Sequence, residues 1–84
     1  MEHAYTPRFL RSFKRLPRGV QDDVLDAVER FKKDQTFPQP RLHKLSGELK
    51  KYHAFSANFS YRVIIHIHRK EVLFINVGSH DMYQ

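Results

Sequence analysis

Apolar residues recur at helical spacing near the start of the chain. Phe9, Phe13 and Leu16 stand at positions i, i+4 and i+7, which places them on one stripe of a helix. The pair Thr6-Pro7 is typical of a helix start, because threonine caps the first turn and proline suits the first helical position. We therefore expect a helix that begins at this pair, preceded by a short strand over residues 2–5.

A second helical pattern follows a break at Pro17 and extends from about Arg18 to Lys33. Its apolar positions again recur at helical spacing. They are Val20, Val24, Leu25, Val28 and Phe31. Acidic residues precede basic ones along this segment, which is the order that the helix dipole favours. We expect the two helices to form a helical hairpin.

The second half of the chain has the pattern of strands joined by short turns. Residues 36–40 cannot be helical because they include Pro38 and Pro40, and residues 41–47 are expected to form a second loop. Strands are expected at residues 49–56, 61–69 and 72–78. Short connections between them favour an antiparallel meander. The predicted order is β-α-α-β-β-β, an α+β fold in a single domain over residues 1–84, with the helical hairpin packed on one face of a small, mainly antiparallel sheet.

Alternation along the last two strands predicts which side chains share a face. Two aliphatic sets are expected to pack under the helices: Val63, Ile65 and Ile67 in one strand, and Leu73, Ile75 and Val77 in the next. Residues of the opposite parity include Arg62, Asn76 and His80, which are expected on an open face. Histidine and arginine on an open face invite proton transfer and anion binding.

The charge of the chain favours a polyanionic partner. The formal net charge is +6 and the pI is about 9.9, on only 84 residues. The charges are also unevenly placed: residues 8–18 hold five Lys or Arg and no acid, whereas four acids gather in residues 22–29. A solubilising surface would not require this separation.

Composition also excludes several classes of site. Cysteine is absent, so disulfides, thiolate nucleophiles and cysteine zinc sites are excluded, which is compatible with a reducing cytoplasm. Apolar runs such as residues 63–65 and 72–75 are far too short to span a membrane, and residues 1–11 do not read as a signal peptide. The sequence predicts a cytoplasmic protein without a membrane partner.

The residue types of the second half suit RNA cleavage by the adjacent 2′-hydroxyl. Histidine transfers protons near neutral pH, arginine and lysine bind phosphoryl oxygens, and aromatic rings stack on unpaired bases. The chain supplies these three types as His43, His53 and His80; Lys44, Lys50, Lys51 and Arg62; and Tyr52, Tyr61 and Tyr83. Such chemistry needs no cofactor, and none is expected.

Three motifs carry a resemblance to a known family. They are Arg41-Leu42-His43-Lys44-Leu45-Ser46-Gly47, then Tyr61-Arg62-Val63-Ile64, and finally Val77-Gly78-Ser79-His80-Asp81. In this order and spacing, the chain resembles the RelE/ParE toxin superfamily, with the closest likeness to its YafQ- and YoeB-like ribonuclease branches. The resemblance covers nearly the whole chain. Each motif alone is weak, and their combination is what is specific.

The resemblance implies a toxin of a type II toxin–antitoxin pair that cleaves mRNA in the ribosomal A site. It implies a cognate antitoxin as a partner, ribosomal RNA as a contact, and operator DNA only through the antitoxin. His80 matches the C-terminal catalytic histidine of those branches, Arg62 the arginine that contacts the scissile phosphate, and His43 a loop histidine of the active site. The chain departs from the pattern at Pro38-Gln39-Pro40, where relatives carry an acid, and in the position of Tyr83.

Five further residues are candidates for RNA binding: Lys44, Lys50, Lys51, Tyr61 and Tyr83. The lysines have a structural alternative, because charged residues on edge strands discourage aggregation. Tyr61 has the parity of the core residue Val63, so its role is open. His66 and His68 share a face, but two imidazoles make an incomplete zinc site, and no metal is expected.

Two other functions fit the same fold. A ParE-like toxin would inhibit DNA gyrase without cutting RNA, although relatives of that kind are expected to lack the paired histidines at positions 43 and 80. A catalytically inactive relative would only bind an antitoxin.

Overall fold

Two α-helices and five strands make up the described part of the chain. The structure is a computed structural model, and it describes residues 2–34 and 42–82. The elements are β1 (Glu2–Tyr5), α1 (Pro7–Lys14), α2 (Arg18–Lys33), β2 (His43–Lys44), β3 (His53–Ser56), β4 (Tyr61–His68) and β5 (Glu71–Ser79). Short 3-10 helices occupy Gly47–Leu49 and His80–Met82. The loop predicted at residues 36–40, together with Arg41 and Tyr83, lies outside the described residues.

The strands form one sheet in the order β1-β5-β4-β3-β2. The pairs β2–β3, β3–β4 and β4–β5 are antiparallel, whereas β1 lies parallel to β5 at the edge. The chain reaches its second strand only after both helices, which pack together on one face of the sheet. The predicted α+β fold, with a helical hairpin on a mainly antiparallel sheet, is confirmed.

The start of α1 is fixed by Thr6. Its hydroxyl accepts a hydrogen bond from the backbone N–H of Phe9 at 3.0 Å, and Pro7 follows at the first helical position, as predicted. The same hydroxyl lies 3.0 Å from the carbonyl oxygen of Phe74 and 2.9 Å from that of Ile75, both of which are in position to accept its hydrogen. The cap of α1 is therefore also its attachment to β5.

Phe74 lies at the centre of the main core. It is fully buried, stacks on Tyr5 at 4.7 Å between ring centroids, and meets Phe9 and Phe31 edge-on at 5.8 and 6.0 Å. Phe31 in turn stacks on Phe55 at 4.9 Å. These rings join α1, α2 and three strands into one cluster. Neither described helix is long and apolar enough to cross a bilayer.

The predicted faces of β5 are correct at Val77 but wrong for the residues on the other side of a bulge that interrupts the strand. The register pairs Val63 with Val77 but Ile65 with Phe74, so β5 has one extra residue in this interval. Parity therefore changes along β5: Val72, Phe74 and Val77 line the main core, while Ile75 packs on the other side of the sheet. The prediction for Val63 and Ile65 is confirmed, since both lie in the main core.

Asn76 is the second correction that the bulge requires. It was expected on an open face but is only 2% exposed, and its side-chain oxygen accepts a hydrogen bond from the Ser12 hydroxyl of α1 at 2.6 Å. A buried amide needs such a partner, because an unsatisfied one would cost about 1–3 kcal/mol. Asn76 therefore holds α1 against β5.

The segment before β3 also differs from the prediction. Residues 49–52 were expected in a strand, but a 3-10 helix ends at Leu49 and β3 begins only at His53, while the region predicted as a loop contains the short strand β2. Leu45, Leu49 and Tyr52 recur at i, i+4 and i+7, so they turn toward the sheet together. They form a second, smaller core with Ala54, Ile64 and Ile75. The face opposite the helices is thus partly covered.

Candidate active site

Arg62 lies in a row of small side chains at one end of the sheet. Its neighbours across the ladder are Ser56 on β3 and Gly78 on β5. Paired residues of an antiparallel sheet point to the same face, and alternation puts Arg62 on the face of Ile64, opposite the helices. Gly78 has no side chain and is buried, while Arg62 is half-buried, so no side chain of β5 stands directly opposite Arg62 in the ladder.

His80 lies one residue beyond the end of β5 and continues the ladder. Its backbone N–H donates to the carbonyl oxygen of Ser60 at 2.8 Å, directly after the paired residues Tyr61 and Ser79. Position 80 therefore has the same parity as position 78 and falls on the face of Arg62. From strand spacings, the Cα atoms of Arg62 and His80 lie roughly 8 Å apart.

One ring nitrogen of His80 lacks a hydrogen-bond partner. The Nε2 atom is buried and makes no hydrogen bond within the described part of the chain, although the residue as a whole is half-buried. An enclosed polar atom of this kind costs about 1–3 kcal/mol. Such atoms are uncommon in folded proteins and are explained by strain, by a water or ion, or by a role in binding or chemistry; Nδ1 of His53 is another among the described residues.

The turn between β3 and β4 fixes this end of the sheet. The side-chain oxygen of Asn58 accepts hydrogen bonds from the backbone N–H groups of Ser60 at 2.8 Å and Tyr61 at 3.0 Å. Its amide nitrogen donates to the Asp23 carboxylate on α2 at 2.9 Å. The tight connection predicted at Asn58 is confirmed. Since Ser60 holds the backbone of His80, the turn also supports the candidate histidine.

His43 lies on the same face but farther away. It pairs with Ala54, which in turn pairs with Ile64, so these three residues form a row beside that of Arg62. His43 is exposed on the edge strand β2, two strands from β4, which corresponds to roughly 10 Å across the sheet. The backbone register therefore brings Arg62 and His80 nearer to each other than either is to His43, which lies at the edge strand.

The three candidate lysines are exposed along the edge that β2 and the following segment form. Lys44 pairs with His53 and has the opposite parity from His43. Lys50 and Lys51 follow the 3-10 helix, and the Lys51 ammonium lies 5.2 Å from the centre of the Tyr52 ring. Tyr52 is itself packed on the second core. These lysines therefore lie along the β2 edge of the sheet and not in the row formed by Ser56, Arg62 and Gly78.

Tyr61 is not grouped with Arg62. It is half-buried and has the parity of Val63, which lies in the main core under the helices. The other aromatic candidate, Tyr83, lies outside the described residues. Neither ring is placed against the Arg62 row by the described structure.

The chain has been compared with known proteins. No protein-family model matches its sequence, and a search of curated proteins finds no match. Solved structures do match. YafQ from E. coli strain BL21(DE3) superposes with a TM-score of 0.76 at 19% identity, over 96% of this chain and 94% of that one. The YoeB/ParE toxin from Agrobacterium tumefaciens gives 0.73 at 13% identity, over 95% and 99%.

A third structure is a complex. The toxin–antitoxin complex RelBE2 from Mycobacterium tuberculosis contains a chain that matches with a TM-score of 0.65 at 20% identity, over 94% of this chain and 90% of that one. This chain has the fold of the RelE/ParE-superfamily toxins. The resemblance that the sequence motifs carry is therefore confirmed at the level of the fold.

The other histidines of this RelE-like fold lie elsewhere. His66 and His68 share the Arg62 face but stand at the far end of β4, with 6.2 Å between their ring centroids, and His66 meets Tyr52 edge-on at 5.9 Å. Burial lowers the pKa of His53, and the positive charge of Lys44 lowers it further. Within residues 2–34 and 42–82, no three His, Asp or Glu side chains converge as a metal site would require.

Sequence reasoning overlooked three features of this site. The pairing of Gly78 with Arg62 is the first of them. The carbonyl of Ser60 and the side chain of Phe59 were not considered at all. The pairing of β4 with β5 shows the first two features. This pairing cannot be derived from the sequence unless the position of the bulge in β5 is known. Phe59 had a visible signal, since a phenylalanine in a turn has no strand to pack against.

Proposed function

We propose that this protein is the toxin of a type II toxin–antitoxin pair and cleaves mRNA in the ribosomal A site. The observation that carries the proposal is the joint placement of Arg62 and His80. Arg62 pairs with Gly78, and the backbone N–H of His80, two residues after Gly78, donates to Ser60, so the register supports a shared face for the two side chains. A guanidinium and an imidazole about 8 Å apart at Cα can reach the same phosphodiester.

The reaction would use the RNA's own 2′-hydroxyl as the nucleophile. Its oxygen forms a bond to the adjacent phosphorus while the bond from phosphorus to the 5′-oxygen breaks. One proton leaves the 2′-oxygen and another reaches the 5′-oxygen, so the products are a 2′,3′-cyclic phosphate and a 5′-hydroxyl. Such a transition state needs a clamp for the phosphoryl oxygens and a group that transfers protons at neutral pH.

Arg62 is assigned as the clamp. A guanidinium offers a planar fork of donors that fits two non-bridging phosphoryl oxygens. Its neighbours across the ladder, Ser56 and Gly78, are small and uncharged. The proposal is that a backbone phosphate binds the Arg62 guanidinium at this end of the sheet.

His80 is assigned as the principal proton-transfer residue. Its Nε2 atom has no partner in the described structure, and an oxygen of the bound RNA would satisfy it after a rotation of the ring. His43 is assigned a secondary role, as a second acid or base or as an orienting group. Its distance from Arg62 means that it acts on a flanking part of the substrate or after a movement of β2.

The antitoxin partner is part of the proposal. The complex RelBE2 and the complex of YoeB with YefM from Staphylococcus aureus both contain chains with this fold. The excess of positive charge suits an acidic antitoxin segment as well as ribosomal RNA. Lys44, Lys50 and Lys51 are assigned to flanking phosphates, because they are exposed along the β2 edge of the sheet, although Lys44 has the opposite parity from His43.

The test uses purified ribosomes programmed with a defined mRNA. The proposal predicts a cut within the A-site codon, and no cut when that codon carries 2′-deoxyribose, because the nucleophile is then missing. DNA supercoiling by gyrase is measured in parallel with the same protein. Inhibition of gyrase with intact mRNA would replace the proposal by the ParE-like function, and neither effect would leave an inactive relative.

A further inference from the structure

Phe59 is a large apolar side chain that the fold does not use. Its relative exposure is 102%, compared with 53% for Leu25 and 47% for Leu10, the next most exposed large hydrophobics among the described residues. Since the ring does not pack in the core, only the binding of another molecule would bury it.

The backbone that carries Phe59 is well fixed. Ala57 N–H donates to the carbonyl oxygen of Tyr61 at 2.9 Å, which closes the turn. Asn58 accepts two further backbone hydrogen bonds inside the turn and binds Asp23 of α2. The ring therefore projects from a rigid base, and only its own side-chain torsions remain to be ordered on binding.

The turn lies at the candidate active site. Phe59 precedes Ser60, whose carbonyl oxygen holds the backbone N–H of His80 at 2.8 Å. Consecutive Cα atoms are about 3.8 Å apart, so the Cα atom of Phe59 lies at this distance from that of Ser60, which bonds to His80. Arg62 follows three positions later on β4.

We infer that Phe59 is a stacking platform for an unpaired nucleobase next to the phosphate that Arg62 and His80 act on. This inference rests on the proposed function. The exposed faces of an aromatic ring stack on any base, which provides affinity without reading the sequence. Phe59 would then hold the RNA strand so that one phosphate lies at the Gly78 row.

The surroundings of Phe59 favour a base over a protein surface. Its neighbours in the turn, Asn58 and Ser60, are polar, so the ring stands alone. By contrast, the exposed Leu10 and Leu25 line a groove with Tyr5, Phe9, Phe13, Val24 and Val28 between the helices. A protein-binding patch has an apolar centre of several residues, as that groove does, whereas a single ring on a narrow turn suits stacking.

The experiment measures stacking directly with 2-aminopurine, a base whose fluorescence falls when an aromatic ring stacks on it. Ribosomes are programmed with mRNA that carries 2-aminopurine in the A-site codon and 2′-deoxyribose to prevent cutting. The wild-type protein is compared with Phe59→Ala, Phe59→Leu and Phe59→Trp. Leu25→Ala is the matched control, because it also removes an exposed apolar side chain. Cutting of unmodified mRNA is measured with the same variants.

The expected result separates binding from chemistry. Phe59→Ala and Phe59→Leu lose the quenching and bind the programmed ribosome about 10-fold more weakly, while Phe59→Trp and Leu25→Ala behave as wild type. The KM for cutting rises with little change in kcat.

Unchanged binding by Phe59→Ala, or full activity of Phe59→Leu, overturns the inference and leaves the proposed function standing. Equal loss of binding to ribosomes without mRNA overturns it in favour of a ribosomal contact. A wild-type protein that neither binds nor cuts overturns the proposed function, and the stacking role with it.

Discussion

The two ends of the β4–β5 pair carry histidines on the same face in opposite surroundings. At the Arg62 end (Arg62, Gly78 and His80), the arginine has small, uncharged neighbours across the ladder. At the His68 end (His66, His68 and Glu71), His68 pairs with Glu71, which in turn pairs with Glu2 on β1. At the second end the carboxylates of Glu2 and Glu71 line a pocket together with Arg69 and Lys70, whereas the residues opposite Arg62 in the ladder are uncharged. The identity of the neighbours therefore distinguishes the two ends, and the presence of histidine does not.

The turns at the two ends differ in the same way. The turn before β4 is held by three side-chain hydrogen bonds of Asn58, one of which reaches α2. The turn between β4 and β5 contains Arg69 with a φ of 57°, a left-handed conformation that is unfavourable for arginine. The fold thus anchors the candidate active end and tolerates strain at the other.

The largest effect is expected from His80→Ala. Loss of a proton-transfer group lowers the rate of mRNA cleavage by about 100-fold or more, whereas His68→Ala on the same face changes it less than about twofold. Single-turnover cleavage on programmed ribosomes gives both rates, and circular dichroism checks that both variants are folded. Equal losses in the two variants would remove the distinction between the ends.

Arg62→Lys keeps the charge and removes the planar fork. We expect about a tenfold loss of cleavage, because an ammonium cannot bind two phosphoryl oxygens in the same geometry. Arg69→Lys, in the turn at the His68 end, is the matched control and should retain full activity. If Arg62→Lys is as active as the control, Arg62 acts only as a general positive charge.

Asn58→Ala tests the anchoring of the turn. It removes two acceptor contacts and one donor contact, so the free energy of unfolding should fall by about 1–2 kcal/mol, and cleavage should fall with it. Urea denaturation measures the stability. Asp23→Ala removes only the link to α2 and should cost less than Asn58→Ala. Unchanged stability in Asn58→Ala would show that the turn does not need its side-chain hydrogen bonds.

The smallest effect is expected at the other turn. Arg69→Gly relieves the left-handed strain but increases the entropy of the unfolded chain, which leaves a net gain of about 0.5 kcal/mol. Cleavage should stay at the wild-type level. A loss of activity in this variant would mean that the His68 end takes part in function after all.

The helices were the most predictable part of the molecule. Thr6-Pro7 and the break at Pro17 are local signals, and α2 occupies residues 18–33 as predicted. The strands were less predictable because their partners are distant in sequence. Because of the bulge in β5, Phe74 lies in the main core and Asn76 lies against α1. No local sequence pattern predicts a bulge.

The candidate site was predictable only in part. Parity grouped positions 62 and 80, and the register after the bulge supports this grouping, because β4 and β5 pair regularly from Val77 to Ser79 and the N–H of His80 bonds to Ser60. It could not reveal the unpartnered Nε2 of His80 or the exposed ring of Phe59, since both depend on which neighbours the fold brings close. The strand predicted from residue 49 begins only at His53, because Leu49 ends a 3-10 helix and packs with Tyr52 on the second core.

The most direct test of the central claim is the chemistry of the cut ends. Mass spectrometry of mRNA fragments from programmed ribosomes should find a 2′,3′-cyclic phosphate on the upstream fragment and a 5′-hydroxyl on the downstream one, with neither formed by His80→Ala. A 5′-phosphate on the downstream fragment, or the same cut ends produced by His80→Ala, would contradict a centre built from Arg62 and His80.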